Sequence, residues 1–300
     1  MSDALKLGII GLSEGNGHPY SWSTIFNGYN PKKMERSGFP NIASYLSKQN
    51  FPDDQISGAD VTHIWTQDRD LSQNIAESCH IENISENYTD FIGQVDAVLL
   101  ARDDHETHFE ISKPFLEAGV SIFIDKPLAV SVEEADKILG LETYEGQIFT
   151  CTALRYAQEL YPSPQELEDM GPITQIICST VKSWDKYAIH LIEPVIHFLG
   201  ADVNILSTEK SQSKNTVSLV VNWDNDVVTE FQAMGPDVKK GPIRITYCGE
   251  ENSVTKDFSD AFSAFKAALM QFVGSVRSPG IVIPRTETLK TIRLIEEGLK

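Results

Sequence analysis

Short apolar runs alternate with amphipathic stretches along the first half of the chain. Each run has the length of a strand buried in a parallel sheet, and each amphipathic stretch has helical spacing. The predicted strands are LKLGII (5–10), VTHIW (61–65), DAVLLA (96–101) and SIFI (121–124). The predicted helices are 70–79, 107–118 and 131–142, and the last opens with a capping-box pattern, Ser131 with Glu134. This alternation predicts an α/β fold with a doubly wound parallel sheet.

The pattern changes from about residue 172, where the strands become longer and alternate between polar and apolar positions. The predicted strands are 172–181, 215–223, 226–234 and 241–249, with WDND (223–226) as a hairpin turn, and the predicted helices are 260–276 and 285–300. We therefore predict a C-terminal α+β domain with a large open, mainly antiparallel sheet. The boundary between the two domains is predicted at 127/128.

Charge and composition exclude several classes of protein. The 300 residues carry a formal net charge of -18, which argues against a nucleic-acid-binding surface. No apolar run reaches the roughly 20 residues that cross a bilayer, and the N-terminus lacks the order of a signal peptide. The four cysteines lie far apart, which favours reduced thiols and argues against a zinc site. We expect a cytoplasmic protein without a metal, a membrane partner or a nucleic-acid partner.

The first strand runs into a glycine-rich turn, GIIGLSEGNGH (8–18). A turn of this kind after a strand either cradles the phosphates of a nucleotide or only connects two elements. Its spacing departs from G-x-G-x-x-G, because a serine stands where the second glycine belongs. The candidate phosphate-binding residues are Gly11, Ser13, Gly15, Asn16, Gly17 and His18.

A stronger signal lies in residues 95–139, VDAVLLARDDHETHFEISKPFLEAGVSIFIDKPLAVSVEEADKIL. Four features follow one another in this segment. They are an alanine after the strand (Ala101), a histidine (His108), an Ala–Gly pair (Ala118–Gly119) and the D-K-P sequence (Asp125–Lys126–Pro127). This order resembles the Gfo/Idh/MocA oxidoreductases, the group of glucose–fructose oxidoreductase and inositol dehydrogenase. The resemblance continues through LRYAQEL (154–160) and YAIHLIEPVIHFLG (187–200) to the C-terminus, so it covers essentially the whole chain.

The resemblance implies a fold, a cofactor and an activity. Residues 1–127 would form a Rossmann-type dinucleotide-binding domain, and residues 128–300 a substrate-binding and oligomerisation domain. The protein would use NAD or NADP to oxidise or reduce a sugar, a cyclitol or a sugar derivative, and would form a homodimer or homotetramer. Besides the glycine-rich turn, the implied cofactor-binding residues are Thr66, Asp68, Ala101, Arg102, Asp103, His108, Asp125 and Lys126.

The resemblance also implies the catalytic residues. Lys126 would stabilise negative charge on the reacting oxygen, and His190 would take its proton, since the pKa of histidine lies near neutrality. The family's D-x-x-x-H pair is here Lys186-x-x-x-His190. Lys186 close to His190 would lower the pKa of the imidazole by repulsion between like charges.

Other departures leave the substrate and the cofactor open. Arg155, Trp184 and Tyr187 are candidate substrate contacts, although Trp184 and Tyr187 fit a hydrophobic core equally well. Cations at 155, 182 and 186 suggest an anionic substrate. Neither NAD nor NADP is favoured, because Thr66 occupies the place of the usual acidic ribose ligand. A redox-neutral, glycosidase-like enzyme with bound NAD and a non-catalytic nucleotide-binding protein remain the alternatives.

Overall fold

A computed structural model describes residues 4–238, 240–278, 280 and 282–300. Its contacts divide the chain into two compact units, each described here by itself. The first unit comprises Met1–Leu128, Asp136–Thr150 and Phe265–Val282. The second comprises Ala129–Ala135, Cys151–Ala264 and Ile283–Lys300. The first unit ends for the first time at Leu128, and two later segments of the chain belong to it again.

The first unit contains a parallel sheet, which has six strands among the described residues, in the order β3-β2-β1-β4-β5-β6. The strands are β1 Leu5–Ile10, β2 Ala59–Trp65, β3 Asn83–Ile84, β4 Ala97–Leu100, β5 Ser121–Ile124 and β6 Ile148–Phe149. This is the strand order of dinucleotide-binding folds, whose ligand lies where the order reverses, here between β1 and β4. The predicted doubly wound sheet is confirmed.

Helices connect these strands close to the predicted positions. They are α1 His18–Asn27, α2 Pro31–Met34, α3 Pro40–Leu46, α4 Arg69–Ser78, α5 His108–Glu117 and α6 Val132–Leu139. The predicted cap of α6 forms, since the Glu134 N–H donates to the Ser131 hydroxyl over 3.3 Å. The short helices α2 and α3 lie in the insertion between α1 and β2.

The second unit contains a mixed sheet, which has six strands in the described part of the chain, in the order β12-β11-β7-β10-β9-β8. The strands are β7 Ile173–Thr180, β8 Ile205–Ser213, β9 Thr216–Trp223, β10 Val228–Ala233, β11 Arg244–Gly249 and β12 Ser253–Asp257. Neighbouring strands pair antiparallel except for β7 with β10, which are parallel. The predicted α+β fold and the hairpin of β9 with β10 are confirmed.

Helices of the second unit pack on one face of this sheet. They are α7 Pro164–Met170, α8 Trp184–Tyr187, α9 Ile189–Leu199 and α11 Arg285–Leu299, while α10 Ala261–Arg277 spans the division between the units. The apolar helix α9 contacts β7, and α11 contacts both α9 and β9. Their side chains cover the buried row of Cys178, Leu219 and Phe231. Most apolar residues of α9 are therefore buried in the second unit.

The described residues include neither a membrane-spanning helix nor a metal-binding cluster. None of these helices has the length and apolarity needed to cross a membrane. Over the same residues, no cluster of three or more His, Cys, Asp or Glu side chains has the geometry to hold a metal ion.

Candidate functional site

The glycine-rich turn closes tightly over the end of β1. A Cβ atom on Gly11 would collide with the Pro19 ring and would lie 3.3 Å from the Ala101 carbonyl oxygen, so only glycine fits there. Gly15 has a positive φ of 77° and no neighbour within 4 Å of its Cβ position. Gly17 has a different reason to be glycine: its Cβ would meet Ile42 and Phe39, which belong to the insertion. Gly15 is therefore the open position of the turn.

Asp125 ties this turn to the D-K-P segment after β5. Its Oδ2 accepts a 2.8 Å hydrogen bond from Asn16 Nδ2 and lies 2.5 Å from His18 Nδ1. Burial alone would raise the pKa of the carboxyl, but the charge and hydrogen bond of His18, with Lys126 and Asn16, hold it well below its usual range. An ionised carboxylate only accepts, so His18 carries its proton on Nδ1.

Asp103 makes a second link between the turn and the D-K-P segment. Its Oδ1 accepts a 2.6 Å hydrogen bond from the Ser13 hydroxyl, and its Oδ2 lies 3.7 Å from Lys126 Nζ. The side chain of Lys126 is 8% exposed and that of Asp103 is 12% exposed. The D-K-P lysine is therefore held in a buried ion pair next to the turn.

At the end of β2, the residues expected near a ribose have local hydrogen-bond partners. The Thr66 hydroxyl donates to the Asp68 carbonyl oxygen over 2.5 Å. Asp68 caps α4, because its Oδ1 accepts from the backbone N–H groups of Asp70 and Leu71 at 2.8 and 3.2 Å. The capping role follows from the position of Asp68 immediately before α4, which begins at Arg69.

Gln67 was not predicted, yet it holds the glycine-rich turn. Its Nε2 donates to the Leu12 carbonyl oxygen over 2.7 Å, and its Oε1 accepts from the Leu12 N–H over 3.2 Å. Arg102 joins this contact with a 3.0 Å bond to Gln67 Oε1, while its other nitrogens form a bidentate pair with Asp104 at 3.0 and 2.5 Å. Together they fix the turn between the ends of β2 and β4.

The predicted His108 lies fully buried behind the site. Its Nε2 is 2.8 Å from the Arg102 carbonyl oxygen, and its Nδ1 is 3.0 Å from that of Leu128. Burial lowers the pKa of its imidazole, against the opposing effect of these two carbonyl groups. His108 therefore joins the segment after β4 to the segment after β5.

In the second unit, His190 lies at the start of α9 and contacts Thr152. Its Nδ1 is 2.6 Å from Thr152 Oγ1, and the Thr152 N–H donates to Glu193 Oε2 over 2.6 Å. The hydroxyl of Thr152 also accepts from the Leu154 N–H at 3.3 Å. When Nδ1 donates to this hydroxyl, Nε2 is the ring nitrogen that takes a proton.

A buried charge network lies behind this pair. Arg155 Nη2 donates to Glu287 Oε2 over 2.6 Å, and Arg155 Nη1 lies 3.6 Å from Glu193 Oε1. Burial raises the pKa of Glu193 to about 7, because Arg155 offsets only part of that cost and Glu287 adds a like charge. Nearby acidic groups raise the pKa of Arg155 above its usual range, in spite of burial. Arg155, a predicted substrate contact, thus lies beside two acidic side chains, of which Glu193 binds a proton near neutral pH.

The remaining predicted residues lie on or beside α8. Trp184 is buried, and its indole N–H donates to the Ile295 carbonyl oxygen over 2.9 Å. The ring of Tyr187 lies edge-on to His190 with 5.3 Å between centroids, and Lys182 Nζ lies 4.3 Å above the Tyr187 ring. Lys186 is partly exposed, on the same short helix. Of the two readings of Trp184, the structure supports the hydrophobic core.

The first unit fits a dinucleotide at the C-terminal ends of β1 and β4. Gly15 leaves open space in the turn, and α1 begins immediately after it, at His18. The turn contains small residues at the C-terminal ends of β1 and β4, where such ligands bind in this strand order. The residues present are therefore compatible with a bound pyrophosphate.

Sequence comparisons agree with this geometry. Residues 41–152 match the family model described as "Oxidoreductase family, NAD-binding Rossmann fold", of the Gfo/Idh/MocA group, so NAD or NADP is the cofactor. The chain is 26% identical to inositol 2-dehydrogenase 1 of Saccharopolyspora erythraea over 153 residues. That alignment covers 50% of this chain and 45% of the relative, so the chain matches about half of that enzyme's length.

Solved structures share the fold over nearly the full chain. The myo-inositol 2-dehydrogenase of Lactobacillus plantarum is 13% identical, with a TM-score of 0.71 and coverage of 99% of this chain and 96% of that one. The biliverdin reductase of Synechocystis, determined with biliverdin and NADP⁺, is 11% identical, with a TM-score of 0.69 and 98% coverage of both chains. At these identities the likeness establishes the fold. Together with the family model over residues 41–152, it agrees with the resemblance of this chain to the Gfo/Idh/MocA oxidoreductases.

Proposed function

We propose that the protein is an NAD(P)-dependent oxidoreductase that transfers a hydride between the nicotinamide and a hydroxyl or carbonyl carbon of a sugar, cyclitol or related polyol. The observation that carries this proposal is the buried Lys126, held at the C-terminal end of β5 next to the glycine-rich turn. The match to an inositol 2-dehydrogenase supports the substrate class.

We assign the cofactor to the first unit. Ser13, Gly15, Asn16 and Gly17 would hold its phosphates at the start of α1, with Ala101 and Asp103 at the end of β4. When bound, the nicotinamide accepts or supplies the hydride. We do not assign the Asp68 carboxylate as a ribose ligand, because it caps α4.

Lys126 would act on the substrate oxygen. During oxidation of an alcohol, that oxygen gains negative charge as its proton leaves. A lysine ammonium in a buried site stabilises such charge far more than it would in water, because little solvent screens it. Removing a stabiliser of this kind typically costs ~2.7–4 kcal/mol in the barrier.

His190 would act as the base that takes the proton of the substrate. The Thr152 hydroxyl would fix the imidazole with the proton on Nδ1, so that Nε2 acts as the base. A positioned base of this kind typically contributes about 10²–10⁴-fold to the rate. The family's carboxylate partner is absent at Lys186, and Thr152 would take over the orienting part of its role.

A neutral polyol is the substrate that we favour over an anionic one. The cations predicted to attract an anion include Arg155, whose charge is matched by Glu193 and Glu287. Lys182 lies over the Tyr187 ring. The acidic neighbours of Arg155 reduce the positive charge that it offers to a ligand.

The proposal is tested by turnover. Purified protein is mixed with NAD⁺ or NADP⁺ and a panel of inositols, hexoses and uronic acids, and the reduced nicotinamide is measured. We expect reduction with at least one neutral polyol, and a loss of turnover of about 10²–10³-fold in Lys126→Met without loss of cofactor affinity. Conversion of a glycoside without net reduction would favour the redox-neutral alternative. Equal turnover in the Lys126→Met variant would contradict the assigned role.

A further inference from the structure

Asp103 is a carboxylate that couples two parts of the cofactor end of the first unit. It accepts the Ser13 hydroxyl over 2.6 Å and pairs with Lys126 Nζ at 3.7 Å, and its own N–H donates to Ser13 Oγ over 3.1 Å. Because both charged side chains are nearly buried, their fields act over short distances with little screening by water.

The strand order indicates which half of the dinucleotide these charges face. In this fold the end of β2 receives the adenosine ribose, and the ligand crosses the switch point between β1 and β4. The nicotinamide half is therefore expected on the side of β4 and β5. Asp103 follows β4 by three residues, and Lys126 follows β5 by two.

We propose that Asp103, through its ion pair with Lys126, sets the relative affinity of the protein for oxidised and reduced nicotinamide. The inference rests on the proposed function and deepens it. Asp103 is in this sense a specificity-determining residue, since it distinguishes the two redox forms of one cofactor.

The physical reason is a difference of one charge. The oxidised nicotinamide ring carries a positive charge and the reduced ring carries none, while the two forms have the same pyrophosphate. Any repulsion between Asp103 and the phosphates therefore cancels when the two affinities are divided. Only the interaction with the ring charge remains in the ratio.

The ion pair keeps that interaction balanced. With both partners present, the ammonium of Lys126 and the carboxylate of Asp103 oppose each other at the ring. Without the carboxylate, the ammonium would repel the oxidised ring and leave the reduced ring unaffected. Asp125 adds a second negative charge that interacts with Lys126, and this charge is unchanged when Asp103 alone is substituted.

The test measures dissociation constants and needs no turnover. NAD⁺ and NADH are titrated into the wild type, Asp103→Asn and Lys126→Met, with NADP⁺ and NADPH as the second pair of probes. In Asp103→Asn, the ratio of the oxidised to the reduced dissociation constant should rise about tenfold, as expected for an unbalanced charge in a poorly screened site. In Lys126→Met it should fall, because the carboxylate is left to attract the oxidised ring.

The control is a matched ion pair on the surface. Glu117 and Lys113 form an exposed pair in α5 at 4.0 Å, so Glu117→Gln and Lys113→Met change the net charge equally. Their ratios should equal that of the wild type. If the dinucleotides bind but neither Asp103→Asn nor Lys126→Met moves the ratio, the inference is wrong and the proposed function stands. If no dinucleotide binds the wild type, both are wrong.

Discussion

His190 contacts a neighbour that carries no charge. Thr152 contacts the imidazole at 2.6 Å, and the same residue is tied to Glu193 through its N–H. A hydroxyl orients an imidazole without adding a charge to it. The pair therefore supplies orientation where a carboxylate would also stabilise the protonated ring.

Substitution of Thr152 separates orientation from packing. Thr152→Val keeps the shape but removes the hydroxyl, so we expect turnover to fall about tenfold through the loss of one hydrogen bond, with little change in cofactor affinity. Thr152→Ser keeps the hydroxyl and should restore most of the rate. The check is steady-state kinetics across pH, since a misoriented base also changes the pH–rate profile. Equal rates in the valine and serine variants would exclude an orienting role.

At the scale of a helix, substitution of Asp68 distinguishes a role as the cap of α4 from a role as a cofactor ligand. Removing the cap of α4 in Asp68→Ala should lower the free energy of unfolding by ~0.5–2 kcal/mol, while Asp68→Asn should retain most of it. Denaturant unfolding measures both. We expect the dissociation constants for NAD⁺ and NADP⁺ to change little. A folded Asp68→Asn protein with strongly weakened binding would show instead that the carboxylate holds the ribose.

The buried network on α9 makes stability depend on pH. The pKa of Glu193 rises from its ordinary 4.5 to about 7, so the folded state holds a proton that the unfolded state has lost between these values. Protonation of Glu193 therefore contributes fully to the free energy of unfolding below pH 4.5. This contribution is lost as the pH rises to about 7, by up to ~1.4 kcal/mol per pH unit.

Glu193→Gln should remove this dependence. Its carboxamide accepts the Thr152 N–H without titrating, so thermal or denaturant unfolding should show a flatter profile between pH 5 and 7 than the wild type shows. The matched variant Glu159→Gln changes an exposed carboxylate and should leave the slope unchanged. A Glu193→Gln slope equal to that of the wild type would mean that Glu193 is ionised throughout.

Elements whose burial is uniform were predictable from sequence. Strands β1, β4 and β5 are short apolar runs with buried side chains, so their pattern alone identifies them. Strands β8 and β12 were missed because they are polar edge strands, ILSTEKSQS and SVTKD, which lack an apolar run.

The candidate site was predictable where residues are neighbours in sequence. The glycine-rich turn and D-K-P are local motifs, so the residue types alone pointed to them. The partners of Arg155 and His190 lie 38 to 132 residues away, and charge pairs at such separations leave no local pattern. The role of Asp68 as a cap depends on the start of α4 at Arg69, one residue before the predicted start, and helix ends are poorly determined by apolar periodicity.

At the scale of the whole molecule, the outer face of the second unit's sheet bears on the predicted oligomer. Val220 and Ile177 flank Glu230 across three neighbouring strands, and Leu206 on β8 is 68% exposed. We predict a homodimer or homotetramer that covers this face. Light scattering should give a multiple of 33.4 kDa, and Ile177→Lys should reduce it. Particles of 33.4 kDa at micromolar concentration would contradict the prediction.

The central claim concerns the cofactor, and calorimetric titration of NAD⁺ and NADP⁺ into the folded wild-type protein tests it most directly. We predict saturable binding of one dinucleotide per chain, because the turn, the start of α1 and the D-K-P segment form one connected site. Absence of binding by either dinucleotide at millimolar concentration, in protein shown to be folded, would contradict it.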